Sequence, residues 1–234
     1  MARKTHPTLS PTSTFWWSIH RNIGRTPRWT FPDTLLGYGL RLERLNFDNY
    51  DDLWPVLATG DTDYVNREYR EREALYEQVM MLHAYAPYTG TNGAVDYLVI
   101  DTPGKHGSYR SHDRWDMIKD IDLEEGETLA GVIHLYELSM ERLGDMGMPN
   151  PLVGIQLAQA YRGAGIADRA FDLLEHFVAV TYPDAHHVTA MIERENLRSQ
   201  RFFRRRGYEP TDEYGDDESN PKTVFLVKVL GTYP

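Results

Sequence analysis

The residues best placed to do chemistry are two glycines and the chain around them. Arg162-Gly163-Ala164-Gly165 follows a short apolar run over 152–157. It opens a segment in which Ile166, Ala170, Leu173, Leu174, Phe177 and Val178 recur at helical spacing. A strand running through such a turn into a helix is a device for anions. Glycine removes the side chain, so main-chain N–H groups can converge on phosphate oxygens. The first turn of the helix carries unpaired N–H donors, and its dipole favours negative charge. Arg162 can add a guanidinium fork. The same glycines also suit a plain tight turn, so the pair alone does not decide. A Walker loop needs Gly-x-x-x-x-Gly-Lys, which the chain lacks. A dinucleotide fingerprint needs a third glycine where Asp168 stands, and a carboxylate there faces phosphate badly. The histidines (His186-His187, and His106 with His112) lack a third ligand at a recognisable spacing, so no metal is expected. There is no cysteine, which excludes a thiolate zinc site, a disulfide framework and a cysteine nucleophile.

Alternation and periodicity supply the elements that position this turn. Apolar and charged residues alternate over 39–45, as in a half-buried strand. A short helix over 46–57 ends near Pro55, and a longer one spans 63–84, with Val65, Tyr69, Val79 and Leu82 on one stripe. Strands follow over 95–100, 130–138 and 152–157, with a polar stretch over 101–127 between the first two. The helix from 166 ends at Pro183; then come a strand over 187–193, a helix over 196–206, and a hairpin from Tyr208 whose second arm is 223–230. The expected fold class is α/β: a mixed, mostly antiparallel twisted sheet of about seven strands with four helices. Residues 1–36 form an N-terminal extension broken by Pro7, Pro11, Pro27 and Pro32, and 37–234 form one domain. Trp16, Trp17, Trp29 and Phe31 are too apolar for a free tail. They are expected to cover a surface of their own subunit or of a partner, which leaves room for a homodimer.

The 234 residues are enough for a sizeable core. No window approaches the roughly 18 apolar residues of a spanning helix, so no membrane partner is expected. The run Phe15-Trp16-Trp17 is too short for a signal peptide, and a cytoplasmic location is expected. The net charge is −10, unevenly spread. Residues 1–34 hold five basic residues against Asp33, a surplus of +4, so the body carries −14. Such a body repels nucleic acid and attracts cations. A turn this late in the chain, after strands without helical crossovers, leaves a third anion to consider: the pyrophosphate of coenzyme A.

That reading is joined by a family likeness. Ala160-Tyr161-Arg162-Gly163-Ala164-Gly165 resembles the GNAT superfamily pattern Gln/Arg-x-x-Gly-x-Gly/Ala, with Ala in the first place. Gly154-Ile155-Gln156-Leu157 resembles the family's fourth strand. Asn196, Ser199, Phe202, Phe203, Gly207 and Tyr208 resemble its second signature. The Ser, together with Arg41-Leu42 in the first strand, looks like the RimJ/RimL-type branch of these N-acetyltransferases. The likeness covers about residues 36–230, in order and spacing.

The resemblance implies a cofactor, acetyl-CoA, lying where the fourth and fifth strands splay apart. Backbone groups of Ile155, Gln156 and Leu157 would pair with pantetheine amides, and the Leu157 N–H would polarise the thioester carbonyl. Amides of Arg162, Gly163, Ala164, Gly165, Ile166 and Ala167 would hold the pyrophosphate, and Asn196 would bond the pantetheine arm. Of Arg201, Arg204, Arg205 and Arg206, one or two could meet a phosphate, while most form a solvated face. Acetylating an amine needs a neutral nucleophile and a proton for the departing thiolate. The usual donor is a Tyr seven residues after the Asn; here that place is Phe203, so the hydroxyl falls to Ser199. Ser199 equally suits a helix Ser bonded to a carbonyl. An acid usual two residues before the Gly is replaced by Leu152. Glu137 and His134 are then the first base candidates, Glu193 is another, and a water-mediated base stays open. Glu209, Asp212, Glu213, Asp216, Asp217 and Glu218 crowd a loop that often borders the acceptor site in this fold, which suggests a cationic acceptor. The expected activity is acetyl transfer to a primary amine, of a protein N-terminus or a small molecule, by direct attack in a ternary complex. A CoA-binding module with impaired catalysis is the alternative, and a dehydrogenase stands behind both.

Overall fold

The structure is a computed structural model that describes residues 31–46, 49–58, 67–79, 94–103, 110–112, 123–137, 151–182, 185, 187–211 and 222–230. Among these residues nine strands form one sheet in the order β4-β1-β2-β3-β5-β6-β7-β9-β8. They are β1 (Thr34–Gly37), β2 (Leu40–Arg44), β3 (Ala94–Asp101), β4 (Arg110–His112), β5 (Thr128–Glu137), β6 (Pro151–Leu157), β7 (His187–Glu193), β8 (Glu209–Pro210) and β9 (Thr223–Val229). Every neighbouring pair is antiparallel except β6 and β7. The helices are α1 (Tyr50–Leu57), α2 (Arg67–Arg70), α3 (72–79), α4 (Ile166–Thr181) and α5 (Leu197–Arg205). The fold is the expected mixed, mostly antiparallel α/β sheet.

Each face of the sheet has its own core. Leu53 and Leu57 of α1, Tyr69 of α2, and Leu75 and Val79 of α3 pack on Leu98, Ile100, Leu129 and Val132. On the other face Ile166, Ala170, Phe171, Leu173, Leu174, Phe177 and Val178 of α4, with Phe203 of α5, pack on Val95, Tyr97, Ile133, Leu135, Val153, Val188 and Ala190. The alternation of β5 produces this division, because successive side chains leave opposite faces. Each large side chain buried here contributes roughly 1.5–3 kcal/mol. Phe31 is buried in the α4-side core, edge-on to Tyr182 at 6.5 Å, so it does cover a surface of its own subunit. The tryptophans at 16, 17 and 29 lie outside the described residues.

Three local differences from the pattern have physical reasons. β1 begins within the segment read as an extension and crosses its boundary at 36; it is a four-residue strand joined to β2 by a tight turn, with Tyr38 at φ 54° and Gly39 at φ 70°. Two consecutive positive φ values match the twist of a two-residue hairpin. Arg169 of α4 fixes this turn by donating to the Tyr38 and Gly39 carbonyls and to Asp101. The helix expected over 63–84 is interrupted at Glu71 between α2 and α3. α1 runs through Pro55 to Leu57, and its apolar face is held by Leu53 and Leu57 in the core.

Candidate active site

β6 and β7 are joined at one residue pair, Leu152↔Thr189. β7 is otherwise paired with β9 along its whole length, while β6 continues to Leu157. A wedge therefore opens between the two strands. The ladder on the far side of β6 determines which groups face it. The Ala158 N–H donates to the Ala130 carbonyl at 3.0 Å, so Gly131↔Leu157 is a non-hydrogen-bonded pair. By this alternation the backbone groups of Ile155 and Leu157 turn into the wedge, and those of Gln156 turn to Val132 of β5. Of the three consecutive residues expected to meet pantetheine, Ile155 and Leu157 therefore present backbone groups to the wedge and Gln156 does not, because an extended strand points alternate amides in opposite directions. Arg162 Nε donates to the Leu157 carbonyl at 2.9 Å, which leaves the Leu157 N–H as that residue's donor toward the wedge.

The glycine turn sits at the wedge's end. A 3-10 turn over Gln159–Tyr161 follows β6, and the Arg162 N–H closes it on the Gln159 carbonyl at 3.2 Å. That amide is spent, and so is Nε of the Arg162 fork. Of the six amides expected to meet an anion, that of Arg162 is thus already bonded within the turn. Gly163 and Gly165 have φ 84° and 76°, the left-handed region that favours glycine. Both are exposed with Ala164, and a Cβ built on either glycine meets nothing within 4 Å. Gly165 caps α4 without a side-chain hydrogen bond. The first bond of α4 runs from the Arg169 N–H to the Gly165 carbonyl at 3.2 Å, so the Ile166, Ala167 and Asp168 amides precede it. Open space, uncapped amides and the positive end of a 16-residue helix fit a diphosphate.

At the start of α5, Asn196 is the N-cap, and its Oδ1 accepts from the Ser199 N–H at 3.0 Å. This bond fixes the first turn of the helix and sets the half-buried Ser199 one turn from the cap. A bond from the Ser199 hydroxyl to a helix carbonyl is absent among the described residues. Phe203 is buried, with ring centroids 4.9 Å from Tyr208, 5.1 Å from Phe171 and 5.2 Å from Phe202. The position where the family resemblance implies a Tyr hydroxyl is here part of an aromatic core.

The base candidates are scattered. His134 faces α2, with its ring parallel to that of Tyr69 at 6.5 Å between centroids, and it is the cross-strand partner of Asp96 and of Gly154. Its Nε2 occupies the space a side chain at 154 would need: a Cβ there would lie 2.1 Å away. Burial pulls its pKa down to about 4. A neutral imidazole that holds a proton this weakly is poorly matched to an ammonium group with a pKa of roughly 10.4. Glu137 ends β5, and its side chain is outside the described residues. Glu193 ends β7 and is exposed. Of the acidic loop only Glu209 is described, and it is exposed; 212–221 lie outside the described residues, as do the side chains of His106, His112 and His186. Among the described residues no three His, Cys, Asp or Glu side chains gather as a metal site.

Two polar clusters escaped the sequence reading. Asp96, 1% exposed, accepts from the Tyr69 hydroxyl at 2.6 Å and from Gln78 Nε2 at 3.4 Å. Glu175 is buried on α4 and accepts from the Tyr208 hydroxyl at 2.9 Å, Arg206 at 3.1 Å and Lys228 at 2.5 Å. Burial first, and the Glu175 charge second, push the Tyr208 pKa well above its ordinary value. Arg206 is therefore no member of a solvated basic face. A single Glu inside the apolar stripe of α4 was the available signal for this second cluster. Arg41, read with the branch motif, pairs with Glu43 and with Glu127 at 2.7 Å.

No curated relative matches the chain. The chain is similar to a GCN5-related N-acetyltransferase from Brucella melitensis (16% identity, TM-score 0.59, 90% of this chain and 85% of that one). It is similar to a probable GNAT-family acetyltransferase from Chromobacterium violaceum (14%, 0.56, 99% and 98%). It is also similar to RimL, a ribosomal L7/L12 alpha-N-protein acetyltransferase in complex with coenzyme A (13%, 0.54, 84% and 97%). These likenesses concern the fold. The family model described as an acetyltransferase (GNAT) domain matches residues 44–209, which take in the core on the α1–α3 side, most of the core on the α4 side, the glycine turn and α5. The open strand pair ending in an uncapped glycine turn is thus set in a chain that belongs to the GNAT acetyltransferase family.

Proposed function

We propose that the protein is an acetyl-CoA-dependent N-acetyltransferase that acts on a primary amine by direct attack in a ternary complex. The observation that carries this reading is the wedge between β6 and β7, with the Ile155 and Leu157 backbone groups facing it and the open amides of Gly163 to Ala167 at its end. Acetyl-CoA supplies an acetyl group activated as a thioester. Ile155 and Leu157 pair with the pantetheine arm as an added strand would. The Leu157 N–H is the donor for the carbonyl oxygen, where negative charge develops. The amides from Gly163 to Ala167 hold the pyrophosphate at the start of α4. Asn196 bonds the pantetheine arm through its Nδ2, since its Oδ1 is held by the Ser199 N–H. Ser199 relays a proton to the departing thiolate and takes one back from solvent water. Ordered water takes the amine's proton, relayed to Glu137, because His134 binds a proton too weakly. The absence of Cys agrees with transfer that passes through no acyl-thiol on the protein.

For the acceptor we infer a cationic amine, with a protein α-amino group ahead of small molecules. The Asn196–Ser199 pair and Arg41-Leu42 support the RimJ/RimL-type reading, and the acidic composition of residues 209–218 supports a cationic acceptor. The test is thiol release from acetyl-CoA across a panel of peptide N-termini, polyamines and amino sugars. Turnover should be fastest on one peptide class, and Ser199→Ala should lower kcat by about 100-fold or more. Tight coenzyme A binding with no turnover on any amine would replace this reading with the impaired binding module.

A further inference from the structure

Asp168 is the residue that argues against an anion at the glycine turn, because it puts a carboxylate in the first turn of α4. It lies about 4.5 Å along the helix axis from the cap at 1.5 Å per residue. That is inside the screening length of about 8 Å at physiological salt. Asp172 and Glu175 follow on the same stripe of α4, so this face carries three acids. One guanidinium meets all three. Arg206, from the end of α5 and 8% exposed, donates Nη1 to the Asp168 carbonyl at 3.0 Å and to its carboxylate at 3.4 Å. It donates Nη2 to Asp172 at 2.7 Å and to Glu175 at 3.1 Å. Its guanidinium lies 5.4 Å from the Phe171 ring centroid and 5.9 Å from that of Phe202. Its Nε is buried without a hydrogen-bond partner. A group that leaves one donor unsatisfied in order to face a row of carboxylates is held there by charge.

We propose that Arg206 is a positioning residue for the cofactor's diphosphate: it neutralises Asp168 and ties the first turn of α4 to α5, so that an anion can settle on the Gly163–Gly165 turn. The inference rests on the coenzyme A reading above. Lys228 compensates Glu175 from β9, so Arg206 is the cation that reaches the first turn among the described residues. The same bonds couple the turn to the helix that carries Asn196 and Ser199.

Calorimetry with coenzyme A tests it, using wild type, Asp168→Asn, Arg206→Lys, Arg206→Met and the double variant Arg206→Met/Asp168→Asn. Asp168→Asn keeps the volume and the helix, and should bind coenzyme A about 2–5-fold more tightly at low salt, as expected for a half-exposed charge. The gain should shrink as salt rises. Arg206→Met should weaken binding by roughly tenfold, with Asp168→Asn restoring most of that loss in the same background. Arg206→Lys should fall between. Pantetheine has no phosphate, and at millimolar concentration it should shift the melting temperature of wild type and Asp168→Asn equally. If wild type binds coenzyme A but Arg206→Met and Arg206→Lys bind it as tightly, or Asp168→Asn restores nothing in the Arg206→Met background, the role of Arg206 is overturned while the cofactor reading stands. If wild type does not bind coenzyme A, both fall. Should Arg206→Met fail to fold, Asp168→Asn and Arg206→Lys still decide.

Discussion

Gly131→Ala tests the close approach on which the wedge depends. Gly131 lies on β5 opposite Leu157, and a Cβ built there would be 2.1 Å from the Gln156 carbonyl oxygen and 2.9 Å from Leu157 Cα. Both contacts are backbone, so no side chain can swing away. Even a tight contact of 3.0 Å requires β6 to retreat by about 0.9 Å. Overpacking of this kind costs about 1–3 kcal/mol, which for a chain of this size lowers Tm by roughly 3–10 °C. The retreat carries the Leu157 N–H with it. If that N–H serves the thioester carbonyl, a displacement near 1 Å costs on the order of 100-fold in rate. Differential scanning calorimetry and steady-state kinetics read the two effects separately. Gly126→Ala is the control: φ is 85°, nothing lies within 4 Å of its Cβ, and only backbone strain is expected, with kcat unchanged. A Gly131→Ala protein with wild-type Tm would refute the packing argument. One that melts earlier but keeps its kcat would remove Leu157 from the reacting centre.

Three other outcomes are expected. Acid should destabilise the protein through His134: its folded pKa, about 4, lies below the unfolded value of 6.5, so the unfolded chain takes the proton first. The contribution is whole above about pH 6.5 and is lost as pH falls through 4, about 3 kcal/mol in all; urea midpoints from pH 7.5 to 4.5 should fall less steeply for His134→Phe than for wild type, and equal slopes would disprove the assignment. Phe203→Tyr should lower stability by about 1–3 kcal/mol, by burying a hydroxyl among Phe171, Phe202 and Tyr208, and should not raise kcat; a faster enzyme would show that the missing Tyr limits catalysis. Gly154→Ala should destabilise by about 1–3 kcal/mol through the contact with His134 Nε2, and His134→Ala in the same protein should relieve most of that loss; additive effects in a double-mutant cycle would refute the contact.

What could be read in the sequence was local, and what could not depended on register or distant partners. The apolar stripe of α4 and the glycines before it are short-range patterns, and they placed the turn correctly. β4 is three residues long and paired only to β1, so its stability comes from the sheet and nothing in Arg110–His112 marks a strand. Gln156 could not be separated from Ile155 and Leu157 by residue type, because the difference is the parity of pairing with β5. The Arg run 204–206 reads as one charged surface, yet α5 ends before Arg206 and turns it onto α4. Asp96 looked like one polar residue within an apolar strand, and its partners, Tyr69 and Gln78, are 27 and 18 residues away in the chain.

These distant partnerships bear on the absence of a hydroxyl at position 203. A Phe where the family pattern implies Tyr reads, in one dimension, as a lost acid. In three dimensions the residue closes an aromatic group with Phe171 and Tyr208, and Tyr208 carries the hydroxyl that reaches Glu175. The two ends of α5 have different tasks. Its start, where Asn196 caps and Ser199 follows, has a hydroxyl near exposed backbone; its end, from Phe203 to Tyr208, binds α4 through rings and charges. A proton donor is better sited at the end that stays half-open to solvent, since a buried hydroxyl is held neutral and committed to its partner. Tyr208 is in that committed state, with burial and the Glu175 charge both opposing ionisation. The physical demand at 203 is for an apolar ring, and Phe satisfies it, so a Phe at this place does not by itself count against the proposed donor role of Ser199.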